Sequence, residues 1–398
     1  MPATRRRLLS GVALLPAVGG TALAGRATEA TEPPEAWPMG RYDPAGTSHS
    51  AELSGPKSAV EVDWRAGLPR WFNGRQSPIY LAGTLYLAGN GLVAIDAASG
   101  DQLFAFRAPA GSTPARADST VHRTETLVVT SNAGPVGLNR GGGLRLPIVG
   151  TAAGTRWQVP SESGSRFFEY EPIPPVTVDG TAYVVLPETE RLAALNTTDG
   201  SVRWEAGESS IGTSRVDFRP AVRDGTIYTT NQLGGVAAVA ADTGEIQWYE
   251  TVDGLDPRPP TATADGVVVP MRQGIYSLAG EDGSVEWHRE LDGNATRGTA
   301  AVDGETVYWA NGTGTCYALD LRTGETQWST EGSSAGHPVV ADGVLYLTHS
   351  NRLTAFDSET GSELFEYVGS FTLSPTIVAN GRLYHVDSGH LVALEADA

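Results

Sequence analysis

The chain has 398 residues, of which 40% are hydrophobic and 19% charged, a balance typical of a folded globular protein rather than a disordered one. Its formal net charge of −18 argues against binding to nucleic acid or to anionic membranes. Because Cys316 is the single cysteine, no disulfide and no CxxC metal site can form within one chain. Its position in the strand-like run TGTCYALDL predicts a small buried residue rather than a reactive thiol.

Residues 1–24 are predicted to be a signal peptide. Thr4–Leu9 reads TRRRLL, an apolar stretch follows, and Ala22–Ala24 offers a cleavage site. The apolar stretch is short and contains Gly and Pro, so we expect no transmembrane domain. The arginine run resembles the twin-arginine export signal, which implies a secreted protein or one on the extracytoplasmic face of the envelope. Cleavage is the expectation, and an uncleaved signal anchor is the alternative.

Residues 25–57 are predicted to be a linker and surface lead-in segment. They are rich in Thr, Glu, Pro and Gly and show no hydrophobic periodicity. Within them Trp37–Pro44 reads WPMGRYDP. We expect Trp37 to pack on the domain that follows rather than to bind a ligand.

One unit recurs from about residue 58 towards the end of the chain. Its clearest copy starts at Pro338, has a hairpin signal at Asp342–Gly343 and a second turn at Thr360–Gly361, and carries Phe365 four residues after that turn. Asp-Gly suits a tight hairpin, and an Asp before a Thr-Gly turn can accept hydrogen bonds from the turn backbone. Each copy therefore predicts four short antiparallel strands, the blade of a β-propeller.

The outer strand of each copy carries an aromatic residue. These residues are Phe104, Trp157, Trp204, Trp248, Trp287, Trp328 and Phe365. The last copy, residues 375–395, holds only three strands, and Val60–Trp64 can supply the fourth and close the ring. Residues 58–398 are thus predicted to be an all-β, eight-bladed propeller of four-stranded blades. The second copy, residues 118–159, lacks the Asp-Gly hairpin and inserts Asn139–Gly143, so a seven-bladed ring is the alternative.

A family resemblance follows from these copies. Ala318–Trp328 fits the pattern A-x-D-x-x-T-G-x-x-x-W and resembles the pyrroloquinoline quinone repeat, and the resemblance extends over residues 58–395. It implies that the outer-strand aromatics and Trp64 dock between neighbouring blades and are structural. The acidic composition, in which Lys57 is the single lysine and the other cations are arginines, resembles that of proteins from halophiles.

The quinone-dependent alcohol dehydrogenases of this family use adjacent cysteines, a calcium ligand set and long covering insertions. A chain with one cysteine and short blades departs from that pattern, and it contains no HExxH, GxSxG or phosphate-loop motif. We therefore predict no catalytic, cofactor-binding or metal-binding residues. In size and repeat content the chain is similar to non-catalytic members that act in outer-membrane protein assembly.

A cation recurs just before the predicted innermost strand. The six residues are Arg75, Arg116, Arg219, Arg258, Arg297 and His337. They predict a ring at one mouth of the central channel that binds anions or a partner, since guanidinium groups bind oxyanions in a bidentate manner. In the alternative, the neighbouring arginines form local ion pairs with Asp118, Asp217 and Asp256, and their charge is then not available to a ligand.

The predicted function is a non-enzymatic, extracytoplasmic scaffold. It presents a propeller face to an envelope protein, a peptide or a polyanionic ligand, and it is expected to be a monomer. A pyrroloquinoline-quinone-dependent oxidoreductase, with that quinone and calcium as cofactors, is the alternative. Three Asn-x-Thr sequons could carry glycans if the protein is exported, at Asn196, Asn294 and Asn311.

Overall fold

The computed structural model describes residues 35–72, 76–118, 121–146, 150–152, 154–160, 172–206, 216–253, 256–291, 298–333 and 336–397. In this part of the chain the regular secondary structure consists of β-strands alone. No helix of the described residues has the length and apolar character needed to cross a membrane. The predicted signal peptide lies outside the described residues.

The strands are short and follow one another along the chain. In the first half they are β1 (Ala36–Trp37), β2 (His49–Ser50), β3 (Val60–Gly67), β4 (Ile79–Leu81), β5 (Thr84–Ala88), β6 (Gly91–Asp96), β7 (Gln102–Arg107), β8 (Ala115–Ala117), β9 (Thr126–Val129), β10 (Val136–Asn139), β11 (Leu144–Leu146), β12 (Gly150–Ala152), β13 (Thr155–Gln158), β14 (Val176–Val178), β15 (Thr181–Val185), β16 (Leu192–Asn196) and β17 (Val202–Glu205). In the second half they are β18 (Ala221–Arg223), β19 (Thr226–Thr230), β20 (Gly235–Ala240), β21 (Ile246–Thr251), β22 (Thr261–Ala262), β23 (Gly266–Met271), β24 (Gly274–Ala279), β25 (Val285–Glu290), β26 (Ala301–Asp303), β27 (Thr306–Ala310), β28 (Gly314–Asp320), β29 (Thr326–Ser333), β30 (His337–Ala341), β31 (Val344–His349), β32 (Arg352–Asp357), β33 (Glu363–Val368), β34 (Ile377–Ala379), β35 (Arg382–Asp387) and β36 (His390–Ala396).

Eight antiparallel four-stranded blades are arranged as a propeller, which confirms the predicted fold and rules out the seven-bladed ring. Blade 1 is β4–β7, blade 2 is β8–β10 with β13, and blades 3 to 7 are β14–β17, β18–β21, β22–β25, β26–β29 and β30–β33. Blade 8 is β34–β36 with β3 as its outer strand. The first strand of each blade is innermost, and the core lies between successive blades.

The ring closes where the predicted strand joins the last blade. β3 pairs antiparallel with β36, so that Val60 lies opposite Ala396 and Gly67 opposite His390. The pairing covers what would otherwise be the free edge of β36. The guanidinium of Arg382 contacts the carboxylate of Asp63 at 2.7 Å and reinforces this seam.

Tryptophans of one blade dock on the second turn of the next. The indole N–H donors and carbonyl acceptors are Trp64 to Ala97 (3.2 Å), Trp157 to Thr197 (2.8 Å), Trp204 to Ala241 (3.1 Å), Trp248 to Gly280 (2.8 Å), Trp287 to Leu321 (2.8 Å) and Trp328 to Ser358 (3.0 Å). The indole also covers the turn glycine. At Gly244, for example, φ is +77° and a Cβ atom would lie 2.5 Å from the ring of Trp204. The two phenylalanine positions lack the indole donor; Phe104 covers Gly142, and Phe365 is buried beside Tyr346.

The Asp of the repeat fastens the turn on which the indole rests. One carboxylate oxygen of Asp320 accepts hydrogen bonds from the backbone N–H groups of Arg322 (3.0 Å) and Thr323 (2.8 Å) and from the Thr323 hydroxyl (2.9 Å). The repeat motif therefore encodes a turn, and the turn holds the neighbouring blade.

Blade 2 keeps this arrangement with different residues. Asn139 takes the place of the Asp, since its side-chain oxygen accepts a hydrogen bond from Gly141 N–H at 2.9 Å. Gly142 has φ +76° and lies under Phe104, as the Thr-Gly glycine does elsewhere. The hairpin formed by β11 and β12 then follows in the chain, before the outer strand β13. The sequence pattern is weak here because the turn is substituted and the hairpin separates it from Trp157.

The described part of the lead-in segment lies inside the ring rather than on the outer surface expected from its composition. We call residues 35–56 the plug. β1 pairs with β4 of blade 1, and β2 lies parallel to β30 of blade 7. Between them, plug carbonyls accept hydrogen bonds from backbone N–H groups of innermost strands; these carbonyls belong to Pro38, Pro44, Ala45, Thr47 and Ser48. Trp37 is 1% exposed, so it does pack on the propeller.

The indole-on-glycine contact predicts a difference between two glycine substitutions. Gly225 and Gly244 have nearly equal φ values, +79° and +77°, but nothing lies within 4 Å of a Cβ at Gly225. Gly225→Ala should cost about 1 kcal/mol from left-handed strain alone. Gly244→Ala should cost about 1–3 kcal/mol more because the methyl group collides with Trp204. Urea unfolding measures both, and equal losses would show that the indole does not press on the turn.

Candidate functional site

A blind funnel of about 700 Å³ lies at the centre of one face. We call this the funnel face; it is the face at which the innermost strand of each blade begins, and the opposite one is the hairpin face. All eight blades line the funnel, through Ser77, Thr113, Pro174, Arg219, Pro259, Thr299, Pro338 and Pro375, among others. The plug supplies Trp37, Gly40, Arg41 and Ser48 to the lining.

Prolines at the start of the innermost strands help to build the funnel wall. Proline has no N–H to donate and is tolerated at the first residue of an edge strand. It also keeps the residue before it extended. That preceding residue lines the funnel in several blades, as Ser77, Thr113, Arg219 and His337 do. A recurrent X-Pro pair in the repeat thus creates a ring of variable side chains around the axis.

Three members of the predicted cation ring line the funnel: Arg219, Arg258 and His337. Arg116 does not belong to this lining; it lies within β8, and its guanidinium contacts Asp118 at 3.4 Å. Arg258 contacts Asp256 at 2.8 Å. The structure thus shows the local ion pairs of the alternative for these two arginines. Arg75 and Arg297 lie outside the described residues.

Arg219 has a different set of partners. The residue is 4% exposed, and its guanidinium donates hydrogen bonds to the carbonyl oxygens of Asp43 (2.8 Å) and Pro220 (3.1 Å). These acceptors are neutral. Within the described chain its Nε atom is buried and has no hydrogen-bond partner.

Arg41 of the plug lies beside Arg219, and sequence reasoning did not select it. A Cβ atom at Gly46 would be 3.0 Å from Nη1 of Arg219 and 3.1 Å from Nη1 of Arg41, so the two guanidinium groups flank this glycine. Arg41 donates to the carbonyl oxygens of Pro260 (2.6 Å) and Ala300 (2.8 Å). The available signal was the run Trp37–Pro44, whose Trp, Met, Arg and Tyr are unusual in a linker.

The two arginines form a cationic floor. Burial, with a further contribution from the neighbouring Arg219 charge, lowers the pKa of Arg41 to about 9. Burial lowers the pKa of Arg219 to about 10, and the Asp43 carboxylate opposes that shift. Both side chains therefore stay charged near neutral pH, in a site where their described hydrogen-bond acceptors are neutral oxygens.

His349 is a further polar group of the funnel wall. It is 6% exposed, and within the described chain its buried Nε2 atom has no hydrogen-bond partner. Burial lowers its pKa, so the ring is neutral near pH 7. The funnel lining includes one carboxylate among the described residues, that of Asp217, which accepts a hydrogen bond from Gln232 N–H at 2.9 Å.

Other polar or reactive groups of the chain do not belong to the funnel lining. Cys316 is fully buried, and burial raises the pKa of its thiol to about 12. His385 is also fully buried, and desolvation lowers its pKa to about 4. The described residues contain no group of three or more His, Cys, Asp or Glu side chains placed to hold a metal ion. Asn311 is 2% exposed and its side-chain oxygen caps a turn, which argues against a glycan at that sequon.

Comparisons with known proteins agree with the fold. A family profile described as "Outer membrane protein assembly factor BamB" matches residues 149–367 and 312–398, more than half of the chain. The assembly factor BamB of Moranella endobia (strain PCIT) is 28% identical over 192 residues, which cover 47% of this chain. The match spans 41% of that relative's length, less than half of it.

Two solved structures are similar at low sequence identity. The crystal structure of BamB from Moraxella catarrhalis has a TM-score of 0.61 at 15% identity and covers 85% of this chain and all of its own. A europium-containing methanol dehydrogenase has a TM-score of 0.67 at 12% identity, with 88% and 89% covered. At these identities the two structures show a shared fold.

The plug loop that carries Arg41 should depend on Asp43. The Asp43 carboxylate accepts hydrogen bonds from Thr47 N–H (2.9 Å) and the Thr47 hydroxyl (2.6 Å). Asp43→Asn should weaken the loop by about 1 kcal/mol and speed trypsin cleavage after Arg41 roughly fivefold, since cleavage follows the open population.

Asp282→Asn is the matched control, because Asp282 accepts the same pair of bonds from Ser284 in an exposed turn (2.9 and 2.7 Å). It should leave cleavage after Arg41 unchanged. If cleavage after Arg41 becomes faster by the same factor in both variants, the hydrogen bonds of Asp43 do not specifically stabilise the plug.

Proposed function

Because the chain belongs to the family of the outer membrane protein assembly factor BamB, we propose that it is an extracytoplasmic, non-enzymatic scaffold that binds a partner protein at the funnel. The family's description names an assembly factor, and assembly requires contact with other proteins. The TRRRLL run near the N-terminus supports the extracytoplasmic part of the proposal.

The main structural support for this proposal is the shape and lining of the funnel. Its volume lies within the range of ligand pockets, and its wall combines apolar side chains such as Ile173, Phe218 and Leu373 with a few polar groups. On the same face Leu233 is 74% exposed and Phe371 is 57% exposed. Large exposed apolar side chains around a concave centre are the usual anchors of a protein interface.

The funnel floor and the second turns of the blades differ in charge, which supports the funnel as the binding site. The second turns of the blades present carboxylates on the hairpin face. Asp199 and Asp282 are exposed, and Asp320 and Asp357 are partly exposed. Hydrogen bonds from Thr323 lower the pKa of Asp320, so it remains ionised. The funnel floor carries the opposite charge through Arg41 and Arg219. At short range, a negative segment of a partner would bind more favourably at the funnel floor than at these turns.

The quinone-dependent oxidoreductase remains the second candidate, favoured by the fold shared with a methanol dehydrogenase. Pyrroloquinoline quinone carries carboxylates, which the cationic floor could bind. Calcium fits the funnel poorly, because it takes six to eight oxygen ligands with carboxylates prominent among them. Among the described funnel residues Asp217 is the one carboxylate.

Site-specific photo-crosslinking tests the scaffold proposal. A photoreactive residue in place of Leu233 or Phe371 on the funnel face should give one and the same partner adduct in cells that produce the protein. Leu103 and Val202 are matched controls, since they are 44% and 53% exposed on outer strands. They should give no such adduct. Equal adducts from all four positions would refute the funnel face as the binding surface.

Addition of pyrroloquinoline quinone and calcium tests the second candidate. We expect calcium to add nothing to any rise in melting temperature that the quinone alone produces, because the described funnel lining offers the ion one carboxylate, that of Asp217. We expect no reduction of a redox dye with alcohol substrates. Dye reduction that requires both the quinone and calcium would replace the scaffold by the oxidoreductase.

A further inference from the structure

Resting on the proposed function, we infer that the funnel floor binds the C-terminal carboxylate of a partner chain, held by Arg41 of the plug and Arg219 of blade 4. This ligand class is narrower than the protein, peptide or polyanion that the cation ring suggested. The site also differs from that ring, because one of its two arginines comes from the plug.

The floor has unused capacity for an anion. The Nε atoms of Arg41 and Arg219 are both buried without a hydrogen-bond partner in the described chain, and an unsatisfied buried donor is costly. Two like charges flank Gly46 and have the Asp43 carboxylate as a nearby counter-charge, while their hydrogen-bond donors reach neutral oxygens. A bound anion would relieve both penalties. Guanidinium groups match the planar carboxylate in a bidentate manner, which favours this anion.

The shape of the funnel favours a chain end over an internal segment. The plug is hydrogen-bonded to innermost strands around the ring, and inside it Tyr42 contacts Trp37 (ring centroids 4.9 Å apart) and accepts a hydrogen bond from the Ser50 hydroxyl at 3.1 Å. We therefore infer that a strand does not pass through the ring. A terminal carboxylate can enter without reversal of the chain. The apolar wall above the floor, with Phe218 and Leu373, would then contact the last side chains of the partner.

Arg41 is positioned by the ring, so the site is complete only when the plug is in place. Its guanidinium donates to Pro260 of the segment before β22 and to Ala300 of the segment before β26. These bonds tie the plug residue to blades 5 and 6. Arg219 in turn donates to the backbone of Asp43 in the plug. The plug thereby contributes a ligand-binding side chain as well as filling the channel.

Side-chain NMR of the arginine Nε–Hε groups in the full chain tests this inference directly. The probes are acetyl-trialanine with a free carboxylate, its C-terminal amide, and sodium acetate, at low ionic strength. We expect the free acid to shift the Nε–Hε resonances of Arg41 and Arg219, and the amide to bind at least tenfold more weakly. Equal binding of the acid and the amide would overturn the carboxylate. Acetate as effective as the free acid would show a small-anion site and overturn the chain end.

Variants assign the resonances and locate the site. Arg41→Gln and Arg219→Gln should each weaken binding of the free acid at least tenfold. Arg322→Gln, which removes an equal charge from an exposed turn of the hairpin face, should change it less than twofold. If Arg219→Gln fails to fold, the affinity of Arg41→Gln for the free acid and the Nε–Hε shifts of the unsubstituted protein still test the inference. Unchanged affinity in Arg41→Gln would overturn the role of the plug.

The two proposals fail separately. Partner adducts from Leu233 and Phe371 without any response of the arginine resonances would leave the scaffold intact and remove the carboxylate site. Arginine responses without adducts would remove the proposed partner binding and retain a carboxylate site of other use.

Discussion

The contact between an outer-strand tryptophan and the second turn of the next blade sets the geometry on which the other features depend. The indole donates a hydrogen bond to a turn carbonyl and also covers a glycine with positive φ, as Trp204 does at Ala241 and Gly244. One contact thus fixes both the distance and the rotation between two blades. Repeated around the ring, it sets the width of the channel, and the channel width decides that there is room for a plug and for a funnel above it.

A ring of eight blades leaves its innermost strands with an unpaired edge facing the axis. Exposed strand edges are a liability in any sheet protein, and here the plug covers part of them. β1 and β2 add short strands to blades 1 and 7, and the plug carbonyls between them satisfy backbone donors of other blades. The plug's irregular backbone, with positive φ at Arg41, Tyr42 and Ser48, follows from the need to touch one strand after another around a circle.

The ring could be predicted from short sequence motifs, because each blade repeats the same turn residues. The Asp, Thr and Gly of a turn lie within five residues, so a pattern such as Asp320–Gly324 is visible without an alignment. The closure by β3 was also predictable, since the last copy lacked a strand and Val60–Trp64 could supply it. The plug was not predictable in this way, because its partners lie up to 345 residues away, as with the hydrogen bond from Asn380 N–H to the carboxylate of Glu35. The same non-local contacts brought Arg41 to the floor, while Arg116 proved to lie within a strand rather than ahead of it.

The charge of the whole protein and the charge of the floor act over different ranges. A net charge of −18 repels an anionic chain end at long range, and that repulsion is screened beyond about 10 Å at 0.1 M salt and about 3 Å at 1 M. Arg41 and Arg219 act at hydrogen-bond distance in a recessed site, where salt screens far less. High salt would therefore remove the repulsion sooner than the attraction. If the halophile-like composition reflects life in concentrated salt, the funnel floor is the kind of binding site that such a medium favours, because its selectivity depends on short-range contact and shape rather than on long-range steering.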